Sequence, residues 1–219
     1  VIGGWSSWLF GYVTGSLEDV TFEVYALEDI KAADGESEDY YRKDELVGTI
    51  TTDKTGYARL DGLPLGKYYI KETKTAEGYV LDGNTREADL TYRGQKEAVV
   101  TFSTDWQNKR KKAGIHVWKT EEASEQCVEG TVFALCAKED ITGADGRILV
   151  EADTVIEEKA TDGEGKVDFE ADLPIGFAYY VKETAPAPGF TSMGEMQDFN
   201  FSDKHARMED VSYDLEFQN

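Results

Sequence analysis

Cysteine is scarce in this chain of 219 residues, with Cys127 and Cys136 the only two. Neither stands in a C-x-x-C or C-x-x-H context, which excludes a structural zinc site and a disulfide-dense scaffold. The pair brackets a turn, and the spacing fits either a disulfide across that turn or two separate thiols. Histidine is as rare: His116 and His205 are far apart, so a histidine-based catalytic dyad or metal site lacks material. With no nucleophile beside a base and no metal-ligand cluster, the chain does not read as an enzyme, and it implies no cofactor. No run approaches the roughly eighteen apolar residues of a membrane span. The apolar opening, VIGGWSSWLFGYV, lacks the basic flank of a signal peptide. Without an initiating Met or a C-terminal anchor, the sequence reads as a mature fragment or an excised piece. Positive charge is also in deficit: 23 basic residues face 44 acidic ones, a formal charge of −21. A field of that sign repels phosphate backbones and anionic headgroups, so nucleic acid and membrane surfaces are poor partners. It suits the solvated surface of an extracellular protein, although a salt-adapted organism would give a similar balance.

What the chain does contain is said twice. LPLGKYYIKETKTAEGY (Leu63 to Tyr79) returns as LPIGFAYYVKETAPAPGF (Leu173 to Phe190), and an offset of 111 brings the halves into register. Phe22 falls on Phe133, Glu72 on Glu183, Gly78 on Gly189, and the WQN ending at Asn108 on the FQN ending at Asn219. Residues 1–108 are therefore read as one domain and 115–219 as a second. The basic stretch KRKKAG (109–114) is a short linker, read as a solvated hinge. With 40% hydrophobic and 12% aromatic residues, each copy has enough material for a packed core.

Within each copy the pattern has period two. VTFEVYAL (Val20 to Leu27), GKYYIKET (Gly66 to Thr73), AVVTFSTDW (Ala98 to Trp106) and GIHVWKTEE (Gly114 to Glu122) alternate apolar and polar residues rich in β-branched and aromatic types, which predicts half-buried strands. DKTG, DGLPLG, DGN, DGEG and PAPG punctuate them with turn chemistry. No segment sustains a helical period. About seven short strands per copy predict an all-β chain of two tandem β-sandwich domains.

The pattern G-T-V-F-A-L-x-A, then L-P-x-G-x-Y-Y-x-K-E-T-x-A-P-x-G-[FY], then a closing strand ending in Asn, closely resembles the Cna protein B-type domains. These are the SpaA-like, prealbumin-like modules of Gram-positive surface proteins and pilins. The resemblance covers Ile115 to Asn219 and about Leu17 to Asn108. It implies a reversed immunoglobulin-like sandwich serving as a stalk, a spacer or a pilin building block. It also implies an intramolecular isopeptide bond between a Lys of the first strand and an Asn of the last, promoted by a Glu on a central strand. In the second copy Lys119, Asn219 and Glu183 stand at the matching places. The chemistry needs those types. Burial favours the uncharged form of amines and carboxyls alike. A neutral amine can attack a carboxamide, and a protonated acid can polarise that carbonyl and pass its proton to departing ammonia. The fold supplies proximity.

The first copy keeps Glu72 and Asn108 but places Trp8 where the family has its lysine, so no equivalent bond is expected there. Either Trp8 fills the core with apolar surface, or Val1 to Gly15 is not that domain's own first strand. Strand alternation puts Trp8, Phe10 and Tyr12 on one face, toward a core, and leaves Trp5 as the aromatic that could contact a binding partner. The carboxylate-rich loops EDIKAADGESED and EDITGADG lack EF-hand spacing and read as solvated loops. The resulting expectation is a monomeric stalk segment on a Gram-positive cell surface, in contact with neighbouring domains of its parent protein. It would be wall-anchored through a part of that protein outside this stretch, which has no LPxTG signal. The alternative is a module that binds a host protein or glycan through Trp5 and its neighbours or through an exposed sheet face.

Overall fold

A computed structural model describes residues 10, 12, 14–32, 34, 38–94, 99–192, 194–203 and 207–218, in which every named element is a strand. The chain divides into two compact units. One is Thr14–Arg110 with Arg207. The other is Lys111–Lys204 with Met208–Asn219 and, from the N-terminal stretch, Phe10 and Tyr12.

The second unit is a two-sheet sandwich. Its strands are β5 (Lys112–Thr120), β6 (Val132–Ala137), β7 (Ile141–Thr142), β8 (Ile148–Val150), β9 (Val155–Ala160), β10 (Lys166–Phe169), β11 (Phe177–Ala185), β12 (Met196–Phe201) and β13 (Asp210–Gln218). One sheet has the order β10-β5-β13 and the other β12-β11-β6-β9, while β7 and β8 form a separate small pair. β5 and β13, the first and last strands, run parallel, with Lys119 opposite Phe217. Period two decides which side chains face in. Along β5 and the residue before it these are Lys111, Ala113, Ile115, Val117 and Lys119; along β13 they include Val211, Leu215 and Phe217. The inner faces meet in one core that contains Phe133, Leu135, Tyr179 and Val181 from the facing sheet, with the Phe133 and Phe217 rings 4.8 Å apart.

Among the described residues, the first unit repeats only half of this. Its strands β1 (Thr21–Ala26), β2 (Leu46–Thr51), β3 (Lys67–Lys74) and β4 (Thr85–Asp89) form one antiparallel sheet, β2-β1-β3-β4, matching β9-β6-β11-β12. The likeness extends to detail. Tyr68 donates its hydroxyl hydrogen to the Pro64 carbonyl and Tyr179 to that of Pro174. The hydroxyl of Thr52 accepts from the Val20 amide at 3.0 Å, as Thr161 does from Thr131.

Three expectations are corrected. AVVTFSTDW is not a strand: residues 99–106 are irregular, with Val99 75% and Phe102 40% exposed. Phe10 does not pack in the first domain as the 1–108 boundary required. It is a member of the second unit's core, and the Tyr12 hydroxyl donates to the Asp172 carbonyl of that unit at 2.9 Å. The basic linker is shorter than 109–114, because β5 begins at Lys112 and Lys111 is already buried against Asp203. An apolar ring gains more from a core than from the surface, and alternation along β5 turns Lys111 inward with Ala113.

Candidate functional site

At the end of β5 the inward alternation delivers a lysine into the core: Lys119 is 1% exposed. Turn geometry fixes its place. The Lys119 amide donates to the Gly165 carbonyl at 2.8 Å, and its own carbonyl accepts from Val128 at 3.0 Å. Gly165 has φ +70°, and a Cβ there would stand 2.5 Å from the Lys119 carbonyl oxygen, so only glycine allows this approach. From the facing sheet, β11 brings Glu183, whose side chain is 2% exposed and whose Oε2 lies 3.1 Å from Lys119 Nζ. Lys119 Nζ also donates to the Gln218 carbonyl at 3.1 Å. Among the described residues Glu183 Oε1 is buried with no hydrogen-bond partner. Asn219, the third residue of the set, lies outside the described residues.

The first unit shows where the last Asn of a copy sits. Glu72 is fully buried on β3 and pairs across to Phe22, just as Glu183 pairs to Phe133. Trp106 stacks edge-on against Phe22 at 5.0 Å, in the place of Phe217 against Phe133. Two residues on, Asn108 Nδ2 donates to Glu72 Oε1 at 2.7 Å, to Oε2 at 2.9 Å and to the Val80 carbonyl at 3.0 Å. The Asp82 amide donates to Glu72 Oε2 as well. Burial pushes the Glu72 carboxyl above its usual range, against the opposing pull of the Asp82 and Asn108 hydrogen bonds.

The two copies thus divide the set between them: the second brings lysine and acid together, and the first brings acid and asparagine together. Trp5 and Trp8 lie outside the described residues. Cys127 is an exposed thiol and Cys136 a buried one, with no disulfide. Sequence reasoning missed Lys111, the second buried lysine of the same strand. Its odd-numbered phase with Lys119 was the available signal. Burial pushes its ammonium below the usual lysine range, and Asp203 partners it.

A family model described as SpaA, prealbumin-like fold domain, matches the chain twice, over residues 12–105 and 113–213. A comparison with curated proteins gave no match. Among solved structures the chain is similar to the Bacillus anthracis TIE protein, with 21% identity and a TM-score of 0.56 over 93% of this chain; it spans 31% of that protein. It also matches the shaft pilin SpaA of Lactobacillus rhamnosus GG, at 16% identity and TM-score 0.34 over 92% of this chain and 88% of that one. A C-terminal fragment of the pilus adhesin SpaC from the same organism gives 16% identity and TM-score 0.40 over 91% and 88%. The TIE likeness is one of fold.

Proposed function

Because this chain belongs to the family of SpaA prealbumin-like fold domains, in two tandem copies, we propose that it is a stalk segment of a Gram-positive surface protein whose second domain closes itself with a Lys119–Asn219 isopeptide bond. Lys119 Nζ attacks the side-chain carbonyl carbon of Asn219. A new C–N bond forms, the C–NH2 bond of the carboxamide breaks, and ammonia leaves with the proton lost by the amine, relayed by Glu183. The domain turns over once, as a maturation step. The observation that carries this reading is the sealed Lys119–Glu183 pair, 3.1 Å apart. Glu183 Oε1, which has no hydrogen-bond partner among the described residues, adds to it, since the same atom of Glu72 holds Asn108 in the sister copy. A buried lysine–carboxylate pair gains little over apolar packing, because desolvation offsets its attraction. Turning the ammonium into an amide removes the charge that incurs that cost.

The parallel pairing of β5 and β13 supports a mechanical role. Tension entering at Lys112 and leaving beyond Gln218 runs along β5, crosses at Lys119 and exits at residue 219. The roughly 100 residues between are bypassed, and closing a loop of that length stabilises by about 4–5 kcal/mol in the chain-entropy model. Pulling single molecules by their termini tests the stalk reading. A cross-linked second domain withholds about 350 Å of extension, at roughly 3.5 Å per residue. Full extension of both domains contradicts it.

A further inference from the structure

The inward row of β5 has a lysine at each end, Lys111 and Lys119, with Ala113, Ile115 and Val117 between them. The bond described above uses only Lys119. At the rise of a strand the two lysines stand about 26 Å apart, and each meets a carboxylate carried by the facing sheet. Lys119 meets Glu183 near the end of β11. Lys111, its side chain fully buried, donates to Asp203, two residues beyond the end of β12. Because β11 and β12 are antiparallel, with Phe177 opposite Phe201, the two acids belong to opposite ends of that sheet. Charge thus pins β5 to the facing sheet at both ends.

The middle of the row cannot do this. Apolar burial is non-directional, so Ala113, Ile115 and Val117 hold β5 to the core without fixing its place along its own axis. The Lys119 amide is bonded to Gly165, in the turn that leads into β10, but β10 lies in the same sheet as β5 and does not carry Glu183. Nor can Lys119 guard its own position, because the attack on Asn219 needs a neutral amine, which loses the charge attraction to Glu183. Lys111 is not consumed. A buried ion pair adds little net stability over apolar packing, and its best-attested use is to set register.

We propose that Lys111 is a positioning residue for the Lys119–Asn219 bond: through its pair with Asp203 it sets β5 lengthwise so that Lys119 meets Glu183. This rests on the reading that the second domain cross-links itself. A misplacement of about 1 Å costs a reacting group on the order of 100-fold in rate, and that is the effect expected of losing the far pin.

Lys111→Met is the informative variant, because it removes the buried charge and keeps the length of the side chain, whereas Asp203→Asn leaves an unpaired ammonium in the core. Lys111→Met with Asp203→Leu, which replaces the whole pair by apolar groups, serves if the single variant does not fold. The chains are made by cell-free synthesis, translation is stopped, and ammonia loss is followed by intact mass. Lys111→Met should lose ammonia about 100-fold more slowly than the wild type, while urea denaturation in an Asn219→Ala background shows no loss of stability. A merely structural role gives the reverse, a less stable domain that cross-links at the wild-type rate once folded. Crystal structures of the Asn219→Ala chain, with and without Lys111→Met, read the placement where no bond can form. Lys119 Nζ should stay 3.1 Å from Glu183 Oε2 when Lys111 is present, and stand about 1 Å or more further away when it is replaced. Equal rates, or an unmoved Lys119, overturn the inference. A wild type that loses no ammonia overturns the cross-link reading instead, and the pair of crystal structures still decides whether Lys111 sets the strand.

Discussion

Asn219→Ala removes the electrophile of the proposed bond while leaving the Lys119–Glu183 pair and the whole β5–β13 ladder in place. The magnitude follows from topology. The bond closes a loop running from the end of the first strand to the end of the last, about 100 residues, whose entropy in the unfolded chain the cross-link removes; the stabilisation is about 4–5 kcal/mol. For a domain of this size each kcal/mol moves the midpoint by about 4–8 °C, so the second domain should melt on the order of 20–30 °C earlier. The first domain, which does not contain the bond, should keep its own transition. Differential scanning calorimetry of both proteins, with peaks assigned from each domain's fluorescence or exchange, measures this. A variant whose upper transition moves by only a few degrees refutes the reasoning, because so small a shift leaves no room for the roughly 4–5 kcal/mol of loop closure.

Further expectations concern the rest of the molecule. Burial raises Glu72 above its ordinary value of 4.5, so the native first domain holds a proton that the unfolded chain has lost. Its stability therefore falls as pH rises from about 4.5 through the raised value, and Glu72→Gln should flatten that slope in urea titrations across roughly pH 4 to 8. Phe10→Ala should destabilise the second domain, not the first, by about 3–5 kcal/mol, read as a shift of that transition alone. Gly165→Ala forces a Cβ to 2.5 Å from the Lys119 carbonyl at positive φ. It should cost at least about 1–3 kcal/mol in chemical denaturation and slow any cross-linking by shifting Lys119.

Strands whose side chains alternate over a buried face were legible: β1, β3 and β5 carry β-branched or aromatic residues at period two. The continuous apolar run of β6, buried along nearly its whole length, gave no such signal. The repeat aligned Phe22 with Phe133 and Glu72 with Glu183, and the structure adds that each Glu pairs across to its Phe. The failure at 98–106 has a physical cause. AVVTFSTDW has strand propensity, but propensity expresses itself through a neighbour, and its neighbour is absent among the described residues. The N-terminal aromatics misled for a related reason. Period two orders residues on a face without saying which sheet that face covers, and Phe10 went to the other core. Lys119 and Glu183 could be paired only through the family pattern, since charge and spacing alone describe an ordinary solvent-facing strand.

Intact mass of the purified chain, beside a Glu183→Ala variant, tests the central claim most directly. A cross-linked second domain makes the wild type lighter than its sequence by one ammonia and leaves the variant at its full expected mass, with the missing ammonia mapped by fragmentation to a Lys119–Asn219 linkage. A wild type at full mass contradicts it and leaves the buried Lys119–Glu183 contact as an ion pair in an uncross-linked sandwich.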